Sequence, residues 1–317
     1  MVMPWLMSGL GLVILLFAGD ALVKGAVNLS LRLGVPALIV SLTIVAFGTS
    51  APELLISIKA VLDNAPGIAL GNVVGSNTAN ILMVLGIPAL LATMHTSECD
   101  SRKTFGFMIV ATFLFIALAF RGVFDWWAGL VLLGALGYVL FDALRDARNH
   151  RAADALEADL EEPEGADPNM PTWQIAVFLI LGLVGLPLGA SILVDNATII
   201  AKTYGVSDTV IGLTLVAIGT SLPELATTVM AALRRQADVA LGNVIGSNMF
   251  NLLAIIGIAS LVGPIEVDPE FLRFDLWVML GASLLLIPFV YMKKDITRIW
   301  GIALTALYAF YILIVLI

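Results

Sequence analysis

Charge is what this sequence has least of. Only 13% of its 317 residues are charged and 60% are hydrophobic, where a soluble domain carries about 25% charged residues, so a water-soluble fold is not expected. Cysteine occurs once, at Cys99, and histidine twice, at His95 and His150. A lone cysteine makes no internal disulfide, and neither histidine has a Cys or His neighbour at metal-site spacing, which argues against zinc chemistry and Cys/His catalysis. Alternation of period two is missing, which excludes a membrane β-barrel. The net charge of −8 comes largely from one segment, Asp154 to Asp167, and says little about partners. That segment also lacks the Asp-x-Asp-x-Asp-Gly spacing of an EF-hand loop.

What is present is a series of uncharged apolar runs of roughly 17 to 25 residues, each long enough to cross a hydrocarbon core of about 30 Å as a helix. Ten spans are read at 5–31, 35–58, 67–91, 104–120, 125–143, 173–201, 207–232, 239–262, 272–291 and 297–316, making an all-α polytopic membrane protein with ten transmembrane helices. The amino-terminal run has no positive flank and no small-residue cleavage site before Asp20, and is read as a retained first span. The stretch 144–171, containing RDARNHRAADALEADLEEPEGADPNMP, has no apolar periodicity until its end and separates two halves, 1–143 and 172–317.

Lys and Arg set the orientation. With the amino terminus outside, the inside connections and helix ends carry eleven: Arg32, Arg102, Lys103, Arg145, Arg148, Arg151, Arg234, Arg235, Lys293, Lys294 and Arg298. The outside ones carry four, Lys59, Arg121, Lys202 and Arg273. Positive loops stay inside, so both termini are expected outside a cytoplasmic membrane, with the acidic linker in the cytoplasm.

The halves repeat one another. AFGTSAPEL begins at Ala46 and AIGTSLPEL at Ala217, while LGNVVGSNTANIL begins at Leu70 and LGNVIGSNMFNLL at Leu241. The interval is the same for both pairs (217 − 46 and 241 − 70), so the spacing of the two motifs within each half is identical. Five spans per copy is an odd number, so the second copy enters the membrane from the opposite side. That makes two inverted-topology five-helix repeats, an architecture that places its site near the midplane and works by alternating access.

Glu53 and Glu224 lie in otherwise apolar spans, where an ionised carboxylate costs several kcal/mol unless paired or hydrated. No Lys or Arg accompanies either at helical spacing. Thr49 and Ser50 precede Glu53 by four and three residues, and Thr220 and Ser221 stand in the same relation to Glu224, so hydroxyls and carboxylate share a face. Pro52 and Pro223 each remove a donor and crowd the carbonyl four residues back. The helix is expected to distort at GTS and to free carbonyl oxygens, those of Ala46 and Ala217 among them. Hard cations such as Ca²⁺ take six to eight oxygens from carboxylates, carbonyls and waters.

In the next span of each copy, Gly71 and Gly75, like Gly242 and Gly246, form a small-xxx-small face for close helix approach. Ser76 and Asn80, like Ser247 and Asn251, are four apart and can face the site, while Asn72, Asn77, Asn243 and Asn248 are candidates to bond the broken backbone. A single intramembrane Ser, Thr or Asn is more often an interhelical hydrogen bond than a ligand. Two glutamates at equivalent positions of a duplicated motif point to function. Asp20 and Lys24, four apart on the first span, are read as a pair, and Asp195 as a candidate for lining an ion path. A channel would need a continuous pore, and an intramembrane enzyme a nucleophile with a base in reach; the sequence supplies no such pair.

The duplicated GTSAPEL with GNVVGSN, and GTSLPEL with GNVIGSN, resemble the two alpha-repeats of the cation/Ca²⁺ antiporter superfamily, across nearly the whole chain. The nearest resemblance is to the sodium/calcium exchanger branch in its compact prokaryotic form. The resemblance implies that Glu53 and Glu224 coordinate Ca²⁺ and Na⁺ alternately. Thr49, Ser50, Thr220, Ser221 and the carbonyls of Ala46 and Ala217 complete the sites, and Ser76, Asn80, Ser247 and Asn251 match the ligands of the next helix. It further implies that the first and sixth helices slide across the rest to switch access. The proton/calcium branch typically has Asn in place of the Thr-Ser pair, so GTS-x-PEL favours Na⁺. Potassium-dependent members carry Asp where this chain has Asn251, which argues against K⁺ cotransport; proton-coupled or K⁺-dependent exchange is the alternative. The short linker is too small for a Ca²⁺-sensing domain. No cofactor, nucleic acid or obligatory protein partner is expected, only the transported ions and the lipid bilayer.

Overall fold

The computed structural model describes residues 2–154, 167, 169–205 and 217–316. Helices follow one another in the order α1 (Val2–Leu33), α2 (Ala37–Thr49), α3 (Ala51–Leu62), α4 (Pro66–Leu91), α5 (Arg102–Ala119) and α6 (Trp126–Asp154). After the connection come α7 (Thr172–Thr203), α8 (Ala217–Thr220), α9 (Leu222–Leu233), α10 (Ala237–Val262), α11 (Phe271–Val290) and α12 (Arg298–Leu316). Eight of these are long and apolar enough to cross a membrane, or nine with the bent pair α2–α3 taken as one span. The expected span 207–232 begins with residues outside the described ones; its described part is the two short helices α8 and α9. One boundary differs from expectation: α6 continues to Asp154, well into the stretch read as linker. Its Ala- and Arg-rich sequence there has high helix propensity without needing an apolar stripe.

Burial separates a central pair from a periphery. Over their most apolar 18 residues, 83% of α4 and 89% of α10 is buried, against only 22% of α7 and 17% of α12. The outer helices turn Phe17, Leu55, Trp173 and Ile299 outward, each more than half exposed, as lipid-facing surfaces must when hydrocarbon takes the place of water. α1 and α7 pack along most of their length. Gly11 and Gly189 bring backbone against backbone there, since a Cβ on either would lie about 2.7 to 2.9 Å from a main-chain atom of the other helix. Lipid tails give helices no hydrophobic reason to associate, so close van der Waals contact between small residues holds such pairs.

The same device joins α10 to α2. A Cβ on Gly246 would sit 2.5 Å from the Leu42 carbonyl oxygen and 2.6 Å from Ala46 Cβ, and one on Gly242 would sit 2.8 Å from the Leu38 carbonyl oxygen. Backbone cannot step aside as a side chain can. Gly246→Ala is therefore expected to cost about 1–3 kcal/mol through overpacking and to lower the melting temperature of the purified protein by several degrees; an unchanged melt would contradict this packing. The repeat-equivalent neighbour of Gly71 and Gly75, 209–217, lies outside the described residues except for Ala217.

Loops from the two halves join in two places. Strands β1 (Val123–Phe124) and β2 (Ile265–Glu266) pair antiparallel, and Met94 bridges Ile296. Ser97 N–H donates to Asp295 Oδ1 (3.1 Å), and His95 lies 3.0 Å from Asp295 Oδ2. Burial pushes the Asp295 carboxyl upward, but Ser97 and His95 outweigh it and hold it below the usual carboxylate range. Met94 and Ile265 stand one repeat interval apart (265 − 94 equals 217 − 46), so each junction is close to the repeat image of the other.

Candidate cation site

Each GTS-x-PEL motif forms a break between two helices. α2 meets α3 at 43°, with Ser50 at φ −84°, ψ 5°, and Ser221 between α8 and α9 is nearly superposable at φ −86°, ψ 4°. Pro52 and Pro223 fall in the first turn of the second helix, where a missing N–H costs nothing. The distortion expected from Pro and Gly is thus realised as a clean break. It places Glu53 and Glu224 in the first turns of α3 and α9, where the positive end of the helix dipole favours a carboxylate. The preceding helix directs its carboxyl end, with the negative pole, to the same spot. A break of this kind serves an anion from one stump and a cation from the other.

Both glutamates are 1% exposed. The Ser50 hydroxyl donates to Glu224 Oε1 across the two halves (3.3 Å), and Thr49 Oγ1 lies 3.4 Å from Ser247 Oγ and donates to Asn243 Oδ1 (3.3 Å). Thr49, Ser50 and Ser247 all stand beside the Glu224 carboxylate. Ser76, Asn80, Thr220, Ser221 and Asn251 are buried as well, and Ala217 opens α8. Widened π-helical turns begin at Asn80 in α4 and at Phe250, just before Asn251, in α10, a distortion common at functional sites.

Eight buried side-chain polar atoms among the described residues have no hydrogen-bond partner, and five belong to this set: Glu53 Oε2, Glu224 Oε2, Asn80 Oδ1, Asn251 Oδ1 and Ser221 Oγ. Native interiors satisfy nearly all such atoms. Four of the five can only accept, and acceptor oxygens without donors are what a hard cation binds.

Three expectations need correction or completion. The Ala46 carbonyl is not freed: it accepts from Ser50 N–H (3.0 Å), and the Thr49 hydroxyl lies 3.3 Å from it, with this carbonyl as an alternative acceptor to Asn243 Oδ1, because the break falls one residue later. Asp20 pairs with Arg234 at 2.5 Å rather than with Lys24, whose ammonium sits 4.6 Å from the centre of the Phe178 ring. Asp195 is exposed and accepts the Ser191 hydroxyl one turn earlier (3.2 Å). Asn72 and Asn243 do bond the broken backbone, donating to the carbonyls of Glu53 (3.1 Å) and Glu224 (3.3 Å) and to the hydroxyls of Ser57 and Thr228 (3.1 Å each). Sequence reasoning missed Leu183 and Val194 of α7, which lie over Gly48 and Gly219 at the two breaks. Only their place on the sixth helix hinted at it.

The fold and this set of oxygens define a polytopic helical membrane protein with a buried candidate cation site. The profile of the family described as "Sodium/calcium exchanger protein" matches residues 3–144 and 174–317, and the chain belongs to that family. It is 39% identical to "Putative antiporter CaxA" of Alkalimonas amylolytica over 87% of this chain and 86% of that one. It is 36% identical to "Sodium/calcium exchanger MaX1" of Methanosarcina acetivorans over 96% of both. The fold is similar to that of the sodium-calcium exchanger NCX_Mj soaked with Na⁺ and Sr²⁺, with a TM-score of 0.81 at 32% identity over 98% of each chain. The chain is therefore a cation/Ca²⁺ antiporter of the compact prokaryotic type.

Proposed function

We propose that this antiporter exchanges Na⁺ for Ca²⁺ by alternating access at a single midplane site. The observation that carries the proposal is the cluster of partnerless oxygens around two buried glutamates. Glu53 and Glu224 supply the charge; Thr49, Ser50, Thr220, Ser221, Ser76, Asn80, Ser247, Asn251 and the carbonyl of Ala217 supply the remaining oxygens. The Ala46 carbonyl keeps its helical bond and joins them through its second lone pair, once the Thr49 hydroxyl turns away from it. Two ionised carboxylates are costly to carry empty through a low-dielectric core. One Ca²⁺ or two Na⁺ balance them, which couples transport to occupancy.

The paired loops and the helix breaks, each with its image one repeat interval further on, support two inverted five-helix repeats, 1–143 and 172–317, joined by the linker 144–171; the excess of Lys and Arg on one side supports a cytoplasmic linker and both termini outside the inner membrane. In sealed vesicles an outward Na⁺ gradient is expected to drive Ca²⁺ uptake. Uptake indifferent to Na⁺ but driven by a pH gradient or by K⁺ would replace this reading with the second one. That second reading, proton-coupled or K⁺-dependent exchange, is kept open by the relative from Alkalimonas, whose name specifies no ion.

A further inference from the structure

Where α4 crosses α10, four buried asparagines bond one another in a closed set. Asn77 Nδ2 donates to the Asn248 main-chain carbonyl (3.2 Å), and Asn248 Nδ2 returns the bond to the Asn77 carbonyl (3.4 Å). Asn251 Nδ2 donates to Asn77 Oδ1 and Asn80 Nδ2 to Asn248 Oδ1, both at 3.0 Å. All four side chains are 1% exposed, so water does not offer an alternative partner.

An amide side chain can be turned over at little steric cost, exchanging a donor for an acceptor. Here the choice is fixed from one end. A main-chain carbonyl only accepts, so Asn77 must present its Nδ2 to Asn248; its Oδ1 then faces Asn251, which must answer with Nδ2. The Asn251 oxygen is thereby turned away from Asn77, and it is one of the buried oxygens with no donor. Asn248 imposes the same order on Asn80, whose Oδ1 is likewise without a donor.

We infer that Asn77 and Asn248 are positioning residues, a reciprocal amide clamp that holds the side-chain oxygens of Asn80 and Asn251 toward the cation. The inference rests on the site proposed above. Without the clamp either amide can turn its N–H₂ to the site, where it would repel a cation instead of binding it. Neither clamp residue needs to touch the ion.

The test is cation-dependent melting of the purified full-length chain, read as the Ca²⁺ concentration giving half the maximal shift. Asn77→Asp keeps the shape but loses the donor to the Asn248 carbonyl, and is expected to raise that concentration about tenfold at neutral pH. Lowering the pH should bring the variant's half-saturation back toward that of the wild type measured at the same pH, because a protonated Asp at 77 regains an O–H to donate, whereas protonation of the glutamates weakens both proteins alike; a residue that merely packed would show no such convergence. Asn77→Ala, which removes both bonds and adds no charge, should weaken binding without pH rescue, and serves if the charged variant does not fold. A wild-type shift with unchanged half-saturation in the folded variants would overturn the clamp alone. No cation-induced shift in the wild type would overturn the site and the clamp together.

Discussion

Glu53→Gln and Glu224→Gln are each expected to abolish Na⁺-driven Ca²⁺ uptake in sealed vesicles, with Ca²⁺ affinity falling at least about 100-fold. Gln has nearly the shape of Glu, so the helix break and its packing survive, and what changes is charge. With one carboxylate gone, a bound Ca²⁺ carries an uncompensated positive charge in a core where such a charge costs several kcal/mol. A difference of about 1.4 kcal/mol is already a factor of ten in affinity. A second expectation follows from the same cause. In cation-free buffer both variants should melt no lower than the wild type, since each loses a buried charge whose Oε2 has no hydrogen-bond partner. Uptake that persists in both variants would remove the glutamates from the site, and a large loss of stability would mean they hold the fold instead.

Asn251→Asp is expected to make exchange depend on protons or K⁺. The carboxylate at 251 would be a third negative group beside Glu53 and Glu224, so one Ca²⁺ no longer balances the carrier. A further monovalent cation must enter to restore neutrality. Hydrogen bonding asks for the same correction. Asn77 Oδ1 accepts from the residue at 251; an ionised Asp there has nothing to donate, and a protonated one does. Turnover at alkaline pH without K⁺ should therefore fall about tenfold or more, and recover as the pH is lowered or K⁺ is added. Cation dependence identical to the wild type would argue that Asn251 does not face the ion.

Several elements of the fold were legible in the chain because membranes impose a one-dimensional rule: every backbone polar group must be satisfied within its own segment. Apolar run length thus located α1, α4, α5, α7, α10, α11 and α12 to within a few residues. The end of α6 escaped, since beyond the hydrocarbon a helix needs no apolar signature and Ala with Arg sustains it. Asp20 was misread for a related reason. Spacing of four identifies what a side chain reaches on its own helix, yet the charge that pairs with it, Arg234, arrives from 214 residues away.

By itself the sequence determined that this protein lives in a membrane, that it is duplicated at a constant offset, and that each copy brings one carboxylate among hydroxyls and amides. Those are matters of composition and repetition. Tertiary structure decided which atoms of those groups meet. It set Ser50 of one half on Glu224 of the other, kept the Ala46 carbonyl in a helical bond, and turned the oxygens of Asn80 and Asn251 outward from their amide partners. The physical reason is that an amide or hydroxyl has no fixed sense of its own; whether it gives or accepts is settled by the group opposite, and for Ser50, Asn80 and Asn251 that group belongs to the other copy.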